Sequence, residues 1–296
     1  MKSIPRVVAA ILFGFLLACS PVEQAENPTT STYIQNKGSD TIVNLALAWA
    51  ERYQSLRPDV RISVTGGGSG TGITALISGT VDIANASRQI KDEEINAALA
   101  NGIKPVEHII ARDAIAIIVH PDNPVQHLTI DQLSLIYQGQ INNWRELGGE
   151  DRPIVCLSRE TNSGTHVYFL EEVIRKGDAA NESIFSADTL LLPSSEGIIA
   201  EVSENPNAIG YDGLGYVTDH VKVVAIGVHA GEPYVLPSVE TVNDGTYPIS
   251  RDLYAYSRDN ASPLVDEYLQ WMTSAEAQRI VSRLGFVPVI TIRAGN

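Results

Sequence analysis

The sequence has little of what marks several common classes of protein. With only two cysteines in 296 residues, it does not have the composition of a small fold held by disulfides. The formal net charge is −14 and no basic cluster follows the first few residues, which argues against nucleic-acid binding. The six histidines lack the paired spacing of a zinc site, so neither a metal nor a cofactor is expected.

The only long apolar run lies at the N-terminus. Lys2 and Arg6 precede apolar residues 7–17, and Ala18 and Cys19 follow. A membrane-spanning helix needs roughly 20 apolar residues, and this run is far shorter. The order of charge, apolar run and small residues predicts an export signal over residues 1–19. Its end resembles a bacterial lipobox, which implies that Cys19 is lipidated and anchors the exported protein to the cell envelope.

The segment after Cys19 has the composition of a flexible tether. Residues 20–32 are rich in Pro, Glu, Gln, Asn and Thr and contain almost no large apolar side chain. Without a partner for a disulfide, Cys156 is expected to be a small apolar residue of the strand Ile154–Leu157. Removal of Lys2 and Arg6 with the signal changes the net charge to −16. Any anion would therefore bind against the charge of the whole protein, through local interactions.

From Tyr33 onward, strand-like and amphipathic segments alternate, which predicts an α/β fold. A helix is expected after Asp40, because apolar residues recur at three- and four-residue steps until Pro58. The buried strand Ala114–Val119 is expected to lead into a second lobe. The predicted division is residues 33–113 for the first part of lobe 1, 114–236 for lobe 2, and 237–296 for the return to lobe 1.

Three loops share a layout in which a strand runs into small hydroxyl and glycine residues and then into a helix. They are Gly38–Thr41, Gly66–Gly72 and Ser158–Thr165. Unpaired amides at a helix start, together with serine and threonine donors, can hold an anion, although the same residues are also common ordinary N-caps. The glycine run is not a P-loop, since Ile73 stands where the lysine is needed, and Thr71 breaks the dinucleotide spacing.

Two arginines, Arg88 and Arg159, lie beside these loops and could each grip an oxyanion, or could form surface salt bridges instead. The hydroxyl of Ser69 also suggests a hydrolase, because its glycine-rich surroundings begin like a nucleophile elbow. However, Thr71 occupies the final glycine position of that motif, and no acid–histidine pair is evident.

Taken together, the motifs resemble the phosphate-binding proteins of bacterial ABC-type phosphate transporters. The resemblance covers nearly all of residues 33–290. The segments that carry it are Gly38–Thr41, Gly67–Gly72, Val81–Arg88, Ile136–Gly139 with Trp144, Arg159 with Ser163–Thr165, and Asn207–Tyr211. The resemblance implies a two-lobed, periplasmic-binding-protein-like fold (type II). In this fold each lobe is a mostly parallel sheet flanked by helices, and the ligand cleft lies at the hinge. It also implies partners, a membrane permease and its ATPase.

By matching motif, the resemblance carries the phosphate site over to specific residues. The residues carried over are Ser39, Asp40, Thr41, Ser69, Ser87, Arg159, Ser163, Gly164 and Thr165. The neighbouring residues Gly70 and Arg88 are predicted to belong to the site as well. Ser87 departs from the family, since well-known members have an acidic residue there. Such a carboxylate accepts the proton of phosphate and disfavours sulfate, which has none. Asp40 is a candidate replacement acceptor, or a plain helix N-cap.

The sequence thus predicts a non-enzymatic protein that binds inorganic phosphate with high affinity outside the cytoplasmic membrane and delivers it to an ABC importer. Two alternatives remain open at this point. One is the binding of another tetrahedral oxyanion, sulfate or molybdate, and the other is a hydrolase acting on phosphate esters or acyl substrates.

Overall fold

The computed structural model describes residues 32–290, so the predicted signal, Cys19 and all but the last residue of the predicted tether lie outside the described range. The strands are β1 (Tyr33–Gly38), β2 (Arg61–Thr65), β3 (Ile83–Ala86), β4 (Pro105–Val119), β5 (His127–Thr129), β6 (Val155–Arg159), β7 (Leu190–Leu192), β8 (Ala208–Gly213), β9 (Lys222–Gly227) and β10 (Ser250–Arg258). The α-helices are α1 (Asp40–Leu56), α2 (Ser69–Ile77), α3 (Asp92–Ala100), α4 (Ile130–Tyr137), α5 (Gly164–Phe169), α6 (Ser195–Glu204), α7 (Val239–Asn243), α8 (Pro263–Met272) and α9 (Ala275–Arg283). A π-helical turn, Leu170–Ile174, continues α5.

Helix α1 shows how local sequence sets the elements. Its residues Leu45, Trp49 and Tyr53 recur at four-residue steps and are buried along one face. The indole of Trp49 donates to the carbonyl of Ala277 at 2.9 Å, which joins α1 to α9. The helix ends before Pro58, as predicted, because the residue before a proline avoids the helical conformation.

The strands form a mixed sheet in the order β2-β1-β3-β10-β4-β8-β6-β7, with β9 pairing with both β4 and β5. Pairings toward both ends of this order are parallel, namely β1 with β2 and β3, and β6 with β8 and β7. The pairings made by β10 and β4 at the centre are antiparallel. Helices flank the sheet, as the predicted α/β class requires.

Strand β4 connects two regions of the protein. Its residues Pro105–Ala114 pair with β10, whereas Ile115–Val119 pair with β8. We call β1, β2, β3, β10, residues 105–114 and helices α1, α2, α3, α8 and α9 the first region. Residues 115–119, strands β5–β9 and helices α4, α5 and α6 form the second region. This strand pairing does not test the lobe boundaries predicted from sequence, which stay predictions.

Buried apolar residues form four clusters, all within residues 34–287. The first region is packed around Trp49 and Tyr268, and the second around Tyr137, Phe169 and Tyr211. The rings of Phe169 and Tyr211 stack with centroids 3.7 Å apart. Residues from Thr32 onward therefore contain a hydrophobic core of their own.

Within residues 32–290, no helix is both long and apolar enough to cross a bilayer. The same part of the chain brings together no group of three or more His, Cys, Asp or Glu suited to hold a metal ion. Cys156 lies in β6 as a free, half-buried thiol, and burial raises its pKa to about 12.

Candidate functional site

Three helix starts lie where strands of the sheet end. Helix α1 begins after Ser39, α2 begins at Ser69, and α5 begins after Ser163, following strands β1, β2 and β6 respectively. The first turn of each helix leaves amides without an intrahelical acceptor and carries partial positive charge. Before α2, Gly68 has a φ of 90°, a conformation that favours glycine. The predicted loop geometry is therefore present at all three places.

Three buried serines from the first region meet between these helices. Ser39 Oγ donates to Ser87 Oγ at 3.0 Å, and the hydroxyls of Ser69 and Ser87 lie 3.3 Å apart. The amide of Ser87 donates to Ser69 Oγ at 3.0 Å. The cluster is buried, with exposures of 3% for Ser39 and 0% for the other two. Hydroxyls held in this way are preorganised and shielded from water.

The start of α5, in the second region, faces the serines. A side chain at Gly164 would collide with Ser69 Oγ and would place its Cβ 2.6 Å from Ser87 Oγ. Thr165 Oγ1 lies 2.7 Å from Thr41 Oγ1, at the start of α1. Ser163 caps α5 by accepting from the amide of Thr165 at 3.2 Å. The two regions thus meet at a glycine that lies directly against the serine hydroxyls, where no side chain would fit.

Arg159 is fully buried beside this cluster, and its terminal nitrogens are already engaged. Nη1 donates to Ser195 Oγ at 2.7 Å and contacts Asp212 Oδ2 at 3.4 Å. Nη2 donates to Asp40 Oδ2 at 3.1 Å and to the Pro193 carbonyl at 2.8 Å. Its buried Nε has no partner within residues 32–290. The cation is therefore balanced by two carboxylates, one of them across the boundary between the regions.

Asp40 is the first residue of α1, and Ser39 holds the N-cap position, so Asp40 as a plain N-cap is wrong. One carboxylate oxygen of Asp40 accepts from the amide of Gly67 at 2.9 Å, and the other accepts from Arg159. The Asp40 side chain therefore links the loop Gly66–Gly72 to the second region.

Two predicted residues are engaged elsewhere. Arg88 donates to both carboxylate oxygens of Glu94, at 2.7 and 2.8 Å, so its terminal nitrogens point to an ion pair rather than to the serines. The amide of Gly70 donates to the carbonyl of Asn162 at 3.0 Å, and Asn162 Nδ2 donates to the carbonyl of Gly67 at 3.0 Å. These two hydrogen bonds join the first and second regions.

The comparisons with known proteins agree with this geometry. A profile of the PBP superfamily domain matches residues 23–276. The phosphate-binding protein PstS of Pseudomonas aeruginosa is 35% identical over 273 residues, covering 86% of this chain and 83% of that protein. PstS of Bacillus subtilis is 33% identical over 257 residues, covering 86% and 80%.

The chain belongs to the PstS family of phosphate-binding proteins.

Solved structures of family members share the fold. A phosphate ABC transporter substrate-binding protein from Clostridium perfringens, solved with bound phosphate, is 35% identical with a TM-score of 0.77 over 87% of this chain and 100% of that chain. An ABC-type phosphate transport receptor from Vibrio cholerae is 28% identical with a TM-score of 0.68, covering 86% and 99%. The predicted family and the two-lobed fold are thereby confirmed.

Sequence reasoning about this PstS-family chain missed four buried polar residues. Arg251 on β10 donates to Asp113 Oδ2 and to Thr165 Oγ1, each at 3.0 Å. Asp212 on β8 binds Arg159, and Ser195 at the start of α6 binds both Arg159 and Asp212. The available signal was a charged residue in or next to an apolar strand segment, such as Asp113 before Ala114–Val119 and Asp212 in Ala208–Gly213, because buried charges need partners.

Burial raises the pKa of both aspartates. The pKa of Asp113 rises to about 6 because desolvation disfavours its charge and nearby Asp212 repels it, while Arg251 acts in the opposite direction. The pKa of Asp212 is also raised by desolvation, against the attraction of Arg159. Each aspartate is held beside an arginine at a site where ionisation costs free energy.

Within residues 32–290, the arrangement offers hydrogen-bond donors but no general base in contact with Ser69 Oγ. Among the described residues, Ser69 Oγ has the amide and hydroxyl of Ser87 as its hydrogen-bond partners. A serine–histidine contact exists between Ser158 and His166, at 3.0 Å, but both residues are buried and Ser158 is also bound to Tyr211. The geometry suits the capture of an anion better than the activation of a nucleophile.

Proposed function

We propose that this chain binds inorganic phosphate between its first and second regions, outside the cytoplasmic membrane, and delivers it to an ABC-type importer. The observation that carries the proposal is the buried hydroxyl cluster of Ser39, Ser69 and Ser87 facing Gly164, in a chain of the PstS family.

Neutral donors supply most of the attraction in this proposal. Arg159 and Arg251 each face buried carboxylates, so neither adds an uncompensated positive charge. Hydroxyls and helix-start amides remain, and in a site without water they bind an anion more strongly than they would in solution. This fits a protein whose overall charge is strongly negative.

The residues that we assign to phosphate are Ser39, Asp40, Thr41, Ser69, Gly70, Ser87, Arg159, Ser163, Gly164 and Thr165. The placement of Ser39, Thr41, Ser69, Ser87, Gly164 and Thr165 at one boundary supports this assignment. For Arg159 the buried Nε is the donor left over for the ligand. Arg88, which the sequence motif also suggested, is left out of this list because its terminal nitrogens bind Glu94.

Selectivity against sulfate requires an acceptor for the proton of phosphate, and we assign that role to Asp40. Each of its oxygens receives one described donor, from Gly67 or from Arg159, and a carboxylate oxygen can accept more than one. Ser87 is a weaker candidate, since its hydroxyl already accepts from Ser39 and is itself a donor.

Closure would report occupancy to the transporter. Contacts between the regions, such as Arg159 to Asp40 and Thr41 to Thr165, bring both sides of the site together. In this proposal the permease and its ATPase recognise the closed form and accept phosphate from it. Lipidation of Cys19 would hold the exported protein at the membrane, as the lipobox-like sequence suggests.

Isothermal titration of the protein from Thr32 to Asn296 tests the function, since this range contains all four hydrophobic clusters. One-to-one phosphate binding that sulfate does not displace at neutral pH is expected. In Asp40→Asn, phosphate should bind more weakly and sulfate should compete better. If the unchanged protein binds sulfate or molybdate and not phosphate, the proposal is wrong. Ester hydrolysis that Ser69→Ala abolishes would instead establish the hydrolase.

A further inference from the structure

Arg251 touches both sides of the proposed phosphate site. It lies on β10 of the first region and is only 7% exposed. Its guanidinium donates to the carbonyl of Ser87 at 2.9 Å, to Thr165 Oγ1 at 3.0 Å and to Asp113 Oδ2 at 3.0 Å. One planar group therefore holds the loop of Ser87 and the first turn of α5 at a fixed separation.

The bond to Thr165 also determines the direction of that hydroxyl. A guanidinium has donors and no acceptor, so Thr165 Oγ1 must accept from Arg251. The single proton of Thr165 is then left for another acceptor, either Thr41 Oγ1 at 2.7 Å or a bound anion. Arg251 thereby occupies one of the two acceptor positions of Thr165 Oγ1 and leaves its proton available to an anion in the site.

Asp113 fixes Arg251 in turn. The carboxylate is fully buried, accepts from Arg251 through Oδ2, and accepts from the amide of Leu214 through Oδ1 at 3.1 Å. Because Asp113 is itself held by the backbone amide that directly follows β8, the guanidinium has little freedom to turn away from Thr165.

Arg251 also separates the site from solvent. A cleft of about 300 Å³ opens between the regions, and its lining includes Arg251, Tyr168 and Tyr254. Since Arg251 binds Thr165 on one side and lines this cleft on the other, its side chain lies between the Thr165 hydroxyl and the cleft. Its removal would let water reach the Thr165 hydroxyl.

We infer that Arg251 is a positioning residue of the phosphate site, which orients the Thr165 hydroxyl and the Ser87 loop without being one of the residues carried over from the family motif. This inference rests on the proposed function.

Single variants give the first test, by titration of phosphate into each purified protein. Arg251→Met should weaken binding about tenfold to hundredfold, because charge-assisted hydrogen bonds to the site are lost. Arg251→Lys should recover part of the affinity, since an ammonium can still donate to Thr165. Arg258→Met is the matched control on the same strand, where the arginine forms a half-exposed pair with Asp82, and its affinity should stay within about twofold.

A double-variant cycle separates positioning from general stability. In a Thr165→Val background the hydroxyl is gone, so Arg251→Met should cost several-fold less affinity than it does in the unchanged protein. Additive losses, or an Arg251→Met protein that is folded and binds normally, would overturn the inference alone. If the unchanged protein binds no phosphate, the proposed function fails and the inference fails with it.

Discussion

The first and second regions each contain a buried arginine built in a similar way. In the first region, Arg251 on β10 binds Asp113 on the neighbouring strand β4 and reaches Thr165 across the boundary. In the second region, Arg159 on β6 binds Asp212 on the neighbouring strand β8 and reaches Asp40 across the boundary. Each arginine thus combines a buried carboxylate in the sheet with one contact to a helix start in the other region.

The two arginine–aspartate units, Arg159 with Asp212 and Arg251 with Asp113, differ in the group that the arginine contacts across the boundary. Arg159 contacts a second carboxylate, that of Asp40, so its charge is balanced and the ion pair holds the two regions together. Arg251 meets a neutral hydroxyl, so its contact orients a donor. The difference indicates that Arg159 mainly stabilises the folded protein and the contact between the regions. Arg251 mainly orients a hydrogen-bond donor of the site.

The largest effect is expected from Arg159→Met, because it leaves the buried carboxylate of Asp212 without its cation. The free energy of unfolding should fall by about 3–5 kcal/mol, and phosphate should bind at least about a hundredfold more weakly. Chemical denaturation and titration measure these two quantities. Adding Asp212→Asn should restore part of the stability and little of the affinity. A folded single variant with near-normal affinity would contradict the role assigned to Arg159.

The next largest effect is expected where the two regions touch. In Gly164→Ala the new methyl group meets the hydroxyls of Ser69 and Ser87, and overpacking of this kind costs about 1–3 kcal/mol. Phosphate affinity should therefore fall by about tenfold or more. Gly197→Ala in α6 is the matched control, since its added Cβ would lie 3.3 Å from Ser194 Oγ. Equal affinity of the two variants would show that the regions do not close tightly at Gly164.

The sequence predicted local features well and distant pairings poorly. Helix α1 and its end before Pro58 follow from short-range periodicity, and the hydroxyl loops follow from composition at helix starts. Of strand β4, only Ala114–Val119 was predicted, because its earlier residues mix charged and apolar side chains and gain their partner from β10, far along the chain. Likewise, Asp113 and Arg251 are 138 positions apart, so only the sheet register brings them together.

A smaller effect is expected in the pH dependence of the free energy of unfolding, which should distinguish the buried carboxylate of Asp113 from exposed carboxylates. Because burial raises its folded pKa to about 6, the folded protein holds more protons than the unfolded chain between about pH 4 and 6. The stability contributed by Asp113 is therefore present at low pH and is lost as pH rises through about 6. The shift corresponds to at most about 3 kcal/mol.

Denaturation of the ligand-free protein at a series of pH values measures this slope. Asp113→Asn should lack it, while Asp259→Asn, at an exposed turn after β10, should keep it. A slope that survives in Asp113→Asn would assign the titration to another group, with Asp212 as the first candidate because its pKa is also raised.

The smallest effect is expected from the third arginine beside the site. Arg88 belongs to neither unit, because its terminal nitrogens bind Glu94 and the backbone of Gln89 rather than a group across the boundary. Arg88→Met should therefore change phosphate affinity by no more than about threefold, although stability should drop because Glu94 loses its partner. Titration against Glu94→Gln, which breaks the same pair from the other side, gives the matched comparison. If Arg88→Met weakened phosphate binding tenfold or more while Glu94→Gln did not, Arg88 would turn toward the anion on binding. The comparison of Arg159 with Arg251 would then have to include Arg88 as a third arginine of the site.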